Sequence, residues 1–387
     1  MAYLYVTTNR FAIDDATSVR IFTFCQLLKE IGKDVIVISL DEVEPHKIWS
    51  YKEVKYITLR SLSNSTLAKV FNFLFHRNRL KKCISDLSKT YEIEGLFFYD
   101  IPPTSLFHLK KYASKKNIRL FHDSIEWYSP SQFRLGIFSL SYIMKNLMNK
   151  YFIDKQIAVF AISKYLNNYY QSKGIQSTRI PIMLDMNEIS FKKVINSEKL
   201  KLLYAGSPGK KDYLREIIEG LGRLQKVELQ KVELQLLGVD KKQLTDVCHV
   251  PEISIEKCGN SLIARGRVSR NEVMKQLEKT DFTVLLRSSE LRYAKAGFPT
   301  KVVESLATAT PVICNLTSDL GDYLINGDNS LIVEACNAEA FEITIRKALS
   351  LSFDEKQVMC FNARKTAERE FDIKIFRKQF NTFLCEK

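Results

Sequence analysis

Short apolar runs alternate with amphipathic stretches along almost the whole chain, and the alternation breaks only once. Residues 3–6 read as a buried strand and 18–31 as a helix, with Ser18 as its N-cap and Gly32 just past its end. Residues 34–40 form the next strand, so the chain opens on a parallel strand-helix-strand unit. Further strands are predicted at 54–58, 95–99, 119–122 and 157–162, separated by helical stretches such as 67–88. Around residues 185–199 the periodicity gives way to the polar segment MNEISFKKVINSEK, and then a second alternation begins. Its strands are 200–205, 232–237, 282–286 and 311–315; its helices are 213–224, 270–278, 301–307, 338–351 and 353–370. The pattern predicts an α/β protein with two tandem Rossmann-like domains facing a central cleft. The expected division is a first domain at 1–186, a linker at 187–199, a second domain at 200–370, and a C-terminal helix at 371–387 that packs back on the first domain. A tandem pentapeptide, QKVEL at 225–229 and again at 230–234, fits neither a helical nor a strand period and reads as a duplication lengthening a surface connection.

Composition narrows the classes. At 387 residues and 45% hydrophobic content the chain is too long for one compact core. A net charge of +14 favours an anionic partner, such as a nucleoside diphosphate, an acidic membrane surface or nucleic acid. Nucleic acid is set aside, because no zinc-finger spacing, basic zipper or RNA-binding aromatic signature is present. The eight cysteines form no C-x-x-C pair and read as buried thiols in a reducing cytoplasm. The five histidines are scattered, so no metal site is expected. The chain starts on a strand and has no apolar run of about 18 residues, so it is expected to be neither exported nor membrane-spanning.

The sharpest chemical signal is AKAGFPTKVVESLATATPVI, residues 294–313. Gly297 and Pro299 interrupt regular structure, Thr300 can cap, and a short buried helix follows before Pro311 and a β-branched strand. Backbone N–H groups at such a helix start suit a diphosphate. Lys301 adds a full positive charge, and Glu304 lies one turn on, where its carboxylate can accept from both hydroxyls of a ribose.

These residues resemble the retaining family-4 glycosyltransferases of the GT-B fold, of the kind that builds surface polysaccharides. Gly297, Phe298, Pro299, Glu304 and the run Thr310-Pro311-Val312-Ile313 carry the likeness. It extends to Gly266, Arg267, Val268 and Ser269, which match the family's base-binding loop, and to Leu203-Tyr204-Ala205-Gly206, which match its domain-opening strand. The resemblance implies transfer of a sugar, with retention, from a nucleoside diphosphate sugar, UDP or GDP being the expected carriers. It implies donor contacts from Gly206, Ser207, Lys210, Lys211, Lys295, Thr300, Lys301 and Glu304 as well, and no further cofactor. The sequence departs from the family in two places: the first motif glutamate is Ala296, with Lys295 and Arg292 near enough to substitute, and the basic residue after the opening glycine is Ser207. Diphosphate charge would then fall to Lys210 or Lys211, with Lys211 preferred.

In the first half, FHDSIEWYSP ends a predicted strand, where ligands of open α/β sheets bind. His122 matches the family's histidine facing the transferred sugar, and Asp123 and Glu126 are candidates for acceptor hydroxyls. Asp14 and Asp15 either position the acceptor or cap a turn. The acceptor is expected to be a saccharide or lipid-linked saccharide. Basic and aromatic residues interleave at 67–82 and 133–155, a pattern that suits either a solvated helix face or an anionic membrane surface, hence a cytoplasmic protein, peripheral on the inner face if the second reading holds. Two rivals remain: an inactive sugar-nucleotide-binding or scaffold subunit, and a nucleotide-sugar epimerase, against which the loss of a carboxylate at Ala296 argues.

Overall fold

The computed structural model describes residues 1–13, 15–41, 43–60, 66–189, 191, 198–207 and 211–386, with side chains from 75 onward in the helix that starts at 66. Two compact units emerge: 1–181 together with 376–387, and 182–375. The last helix, Ile373–Cys385, therefore leaves the second unit and from Phe376 belongs to the first.

The first unit is built on β1 (Ala2–Thr7), β2 (Asp34–Ser39), β3 (Ile48–Tyr51), β4 (Val54–Thr58), β5 (Ile93–Tyr99), β6 (Arg119–Ser124), β7 (Ile157–Ala161) and β8 (Ser177–Arg179). Their order is β3-β4-β2-β1-β5-β6-β7-β8, parallel throughout except for β3 against β4. Helices connect the parallel strands, except that β2 reaches β4 through β3. The helix Ala16–Glu30 starts two residues earlier than the pattern predicts, because Asp15 rather than Ser18 is its N-cap; the Asp15 carboxylate accepts from the Ser18 N–H at 2.7 Å. Aromatic rings fill the core: Phe97 stacks on Phe121 at 4.8 Å and Phe160 on Phe380 at 5.1 Å, which ties the C-terminal helix to this sheet.

The second unit carries β9 (Leu200–Ala205), β10 (Val232–Leu237), β11 (Leu262–Ala264), β12 (Phe282–Leu285), β13 (Val312–Cys314) and β14 (Ser330–Ile332), all parallel, in the order β11-β10-β9-β12-β13-β14. Chain order reverses at β9, so the switch point lies beyond the carboxyl ends of β9 and β12. The duplicated pentapeptide is not one surface connection. Its first copy supplies the short helix Lys226–Leu229, and its second enters β10, where Val232 and Leu234 are buried. Among the described residues no helix is long and apolar enough to cross a membrane. Five of the eight cysteines are buried, but Cys385 is exposed.

Candidate functional site

Three strands of the second unit end in glycine. Gly206 follows β9 and donates its N–H to Leu237 O, Gly238 follows β10 and donates to Gly266 O at 2.6 Å, and Gly266 donates to Val239 O. Gly238 has φ +95°, and a Cβ there would strike the carbonyl of Gly206. A Cβ on Gly206 would lie 2.5 Å from Lys301 Nζ, so the bare backbone is what lets the lysine reach the strand end.

Lys301 belongs to the helix Thr300–Ala307, whose N-cap is Pro299. No side chain caps this helix, Thr300 included, so its first N–H groups are left for solvent or a ligand. The Lys301 ammonium sits 2.6 Å from Asp212 Oδ2 and 4.3 Å from the centroid of the Tyr204 ring. Arg287, two residues past β12, donates from Nε to Asp212 Oδ1 at 2.7 Å, and the Tyr204 hydroxyl donates to Asp212 Oδ2 at 2.8 Å. Asn315 clamps the Arg287 backbone with two hydrogen bonds, of 2.9 and 2.7 Å. Burial alone would push the Asp212 carboxyl up, but Arg287 and Lys301 outweigh it and hold the group well below the usual carboxylate range. Burial lowers the Lys301 ammonium, opposed by Asp212. Two cations on one carboxylate leave a local charge of about +1 at the switch point, which suits an anion.

Glu304 lies one turn along the same helix and accepts from Arg270 Nε and NH2 at 3.1 and 2.9 Å, both through Oε1. The loop carrying Gly266, Arg267 and Val268 leads straight to the helix Arg270–Leu277, so the pair links Glu304 to that loop. Lys211 is half-buried, and its carbonyl accepts from the Tyr293 hydroxyl at 2.7 Å. Ser207 is exposed, as is Lys295, whose ammonium lies 3.9 Å from Glu290. Lys210 lies outside the described residues. The Phe298 ring is not available as a donor contact: it is buried against Tyr323 and Phe371, 5.8 Å from each. Ala296 is fully buried, so the position of the missing motif glutamate belongs to the core. Sequence reasoning missed Asp212 and Arg287; the only local signal was an acid beside two lysines.

In the first unit, the Asp123 reading is corrected. Its carboxylate is sealed from solvent and accepts from Arg20 Nε and NH2, at 2.9 and 2.7 Å to Oδ1, and from the Tyr5 hydroxyl at 2.8 Å. Arg20 in turn donates to the Pro181 carbonyl, which completes a buried pair with its hydrogen bonds satisfied. Acceptor hydroxyls have no access to it. Asp15 serves as the helix cap described above, and Asp14 lies outside the described residues. Glu126 is half-buried in the loop after β6; burial, then its charge, raises the neighbouring Tyr128 hydroxyl. His122 points to the opposite face of β6 from Asp123, its ring stacked on Phe98 at 4.8 Å. Burial pulls its imidazole down to about 4, and its Nδ1 is buried without a hydrogen-bond partner. Among the described residues no cluster of three metal-ligating side chains occurs.

Comparison with known proteins fits this geometry. The model of the family described as glycosyl transferases group 1 matches residues 185–366. An uncharacterized glycosyltransferase of Methanocaldococcus jannaschii is 21% identical over 340 residues, which cover 85% of this chain and 83% of that one. The sucrose-phosphate synthase of Thermosynechococcus elongatus superposes with a TM-score of 0.72 at 14% identity, over 99% of this chain and 98% of that one. HepE of Anabaena, solved in complex with UDP and glucose, gives 0.69 at 12% identity over 99% of both chains. Two parallel-sheet units of this kind are the fold of the GT-B glycosyltransferases. The match to the glycosyl transferases group 1 family lies across the second unit, the one that carries Lys301, Asp212 and Arg287.

Proposed function

We propose that this protein transfers a hexosyl or N-acetylhexosaminyl group, with retention of configuration, from a nucleoside diphosphate sugar to a saccharide acceptor in polysaccharide assembly. The observation that carries the reading is the switch point of the second unit. There an uncapped helix N-terminus, Lys301 and Arg287 converge on a glycine-lined strand end, with Glu304 one turn away. A diphosphate would meet the N–H groups and the two cations, and Glu304, turning from Arg270, would accept from the ribose hydroxyls. UDP is favoured as carrier because HepE, with the same fold, was solved with UDP and glucose.

In this mechanism the protein supplies no nucleophile. The leaving diphosphate takes the proton of the incoming hydroxyl on the same face of the sugar, and Lys301, Arg287 and the helix N–H groups stabilise its growing charge. Such preorganised electrostatics are the largest contribution available to a site of this type. Arg287 takes the part of the cation that Ser207 does not provide.

A melting screen with UDP, GDP, ADP and TDP tests the reading. The matching nucleotide at a hundredfold excess over its Kd should stabilise the protein by about 2.7 kcal/mol, and Glu304→Gln should weaken its binding by about 1–2 kcal/mol. No stabilisation by any of the four at millimolar concentration sinks the socket. Binding without turnover over a panel of acceptors would favour the scaffold reading, for which the buried Ala296 is the motivating feature.

A further inference from the structure

Between Glu126 and Asp154 the chain runs through residues 127–153 without one carboxylate, although the protein holds 44 Asp and Glu among 387 residues. The segment carries Arg134, Lys145 and Lys150 instead. Its inner face is firmly held. The Trp127 indole donates to Asn146 Oδ1 at 2.9 Å, Tyr142 is buried against Phe133, and the Tyr170 hydroxyl donates to Asn149 Oδ1 at 2.7 Å. Lys145 is occupied with Asp100. A packed, hydrogen-bonded inner face means that the outward side chains are presented on a defined surface and not on a frayed loop.

Those outward side chains are large and apolar. Leu135, Ile137, Phe138, Leu140 and Tyr151 are 66%, 58%, 79%, 71% and 69% exposed. Serine caps the helix Leu140–Leu147, which puts Leu140 and Ile143 on its outer face while Tyr142 turns inward. Phe107 of the helix Pro103–Lys116 continues the apolar area through its edge contact with Phe152. An exposed apolar cluster of this density needs a partner. Its charge says which. Arg134 and Lys150 are exposed, and two acids, Asp154 and Asp100, are spent, Asp154 on Lys110 at 2.6 Å and Asp100 on Lys145. Exposed cations beside an apolar cluster match an anionic bilayer, which offers apolar depth and negative headgroups together.

We propose that residues 134–151 dock the first unit on an anionic lipid surface, with Leu135, Ile137, Phe138 and Leu140 entering the interface and Arg134 and Lys150 meeting the headgroups. This goes beyond the donor-site reading and is tested without nucleotide.

Sedimentation with phosphatidylcholine vesicles, with and without phosphatidylglycerol, decides the matter. The wild-type protein should pellet with the anionic vesicles at low salt and be released by high salt. The double variant Phe138→Ser, Leu140→Ser should bind roughly tenfold or more weakly, with unchanged melting because both side chains lie outside the core. Arg134→Glu with Lys150→Glu should abolish the preference for phosphatidylglycerol. A protein that stays in the supernatant at low salt overturns the proposal, as does equal vesicle binding by the serine variant. A lipid-free dimer by light scattering that the serine variant dissociates, with no vesicle binding, overturns it too and assigns the patch to self-association.

Discussion

Lys301 holds its ammonium 2.6 Å from Asp212 Oδ2, while Arg287 occupies the other oxygen of the same carboxylate. The carboxylate thus acts as the counter-ion that keeps two cations together at the switch point.

Asp212→Asn tests this arrangement. Removing one partner of a buried ionic group costs at most about 3–5 kcal/mol, so the melting temperature should fall by on the order of 10 °C. UDP should then raise the melting temperature more in the variant than in the wild type, since the diphosphate replaces the missing negative charge. A variant that melts like the wild type, or that gains no more from UDP, shows that Asp212 is not the counter-ion.

His122 makes stability depend on pH. Its folded value of about 4 lies below the ordinary histidine value of about 6.5, so the unfolded chain takes up the proton first. The neutral ring therefore stabilises the fold fully above about pH 6.5, and this contribution is lost as pH falls towards about 4, up to about 3 kcal/mol. Burial pulls His76 down to about 4 as well, so the same window applies to it. Urea unfolding at about pH 7 and about pH 4.5 should show the wild type losing more stability than His122→Phe, which keeps a ring on Phe98 but cannot titrate. Equal losses would mean that His122 does not set the slope.

The central strands of both sheets and the helix with Lys301 and Glu304 were legible because they rest on local signals: β-branched runs, breakers at Gly297, Pro299 and Pro311, and a buried face on the helix; the short strands β3, β8, β11 and β14 were not. The failures share one physical origin, which is that tertiary contacts outrank local pattern. Ser18 and Asp15 are both good caps, and only the chain's path selects Asp15. The two copies of KVEL are identical in sequence, yet one is a helix and the other lies in β10 because the neighbouring strands β9 and β11 bury it. Asp212 meets Lys301 across 89 residues and Arg287 across 75, separations that no periodicity encodes. Asp123 reads as an available acid at a strand end until Arg20, 103 residues away, is seen to enclose it.

The last prediction separates packing from chemistry at His122. Its Nδ1 is buried with no partner, a cost of about 1–3 kcal/mol. Yet the ring also stacks on Phe98, which alone would account for a histidine on this strand. His122 belongs to the first unit, whereas Lys301, Arg287 and Glu304 belong to the second, so its loss should leave UDP affinity close to wild type in calorimetry. Transfer from the intact donor should fall by roughly a hundredfold or more in His122→Ala, the size expected when a positioned polar group is removed from a reacting sugar. His122→Phe restores the stack but not the nitrogen. If the ring serves only packing, His122→Phe transfers sugar at the wild-type rate; if the nitrogen meets the substrate, His122→Phe is as slow as His122→Ala.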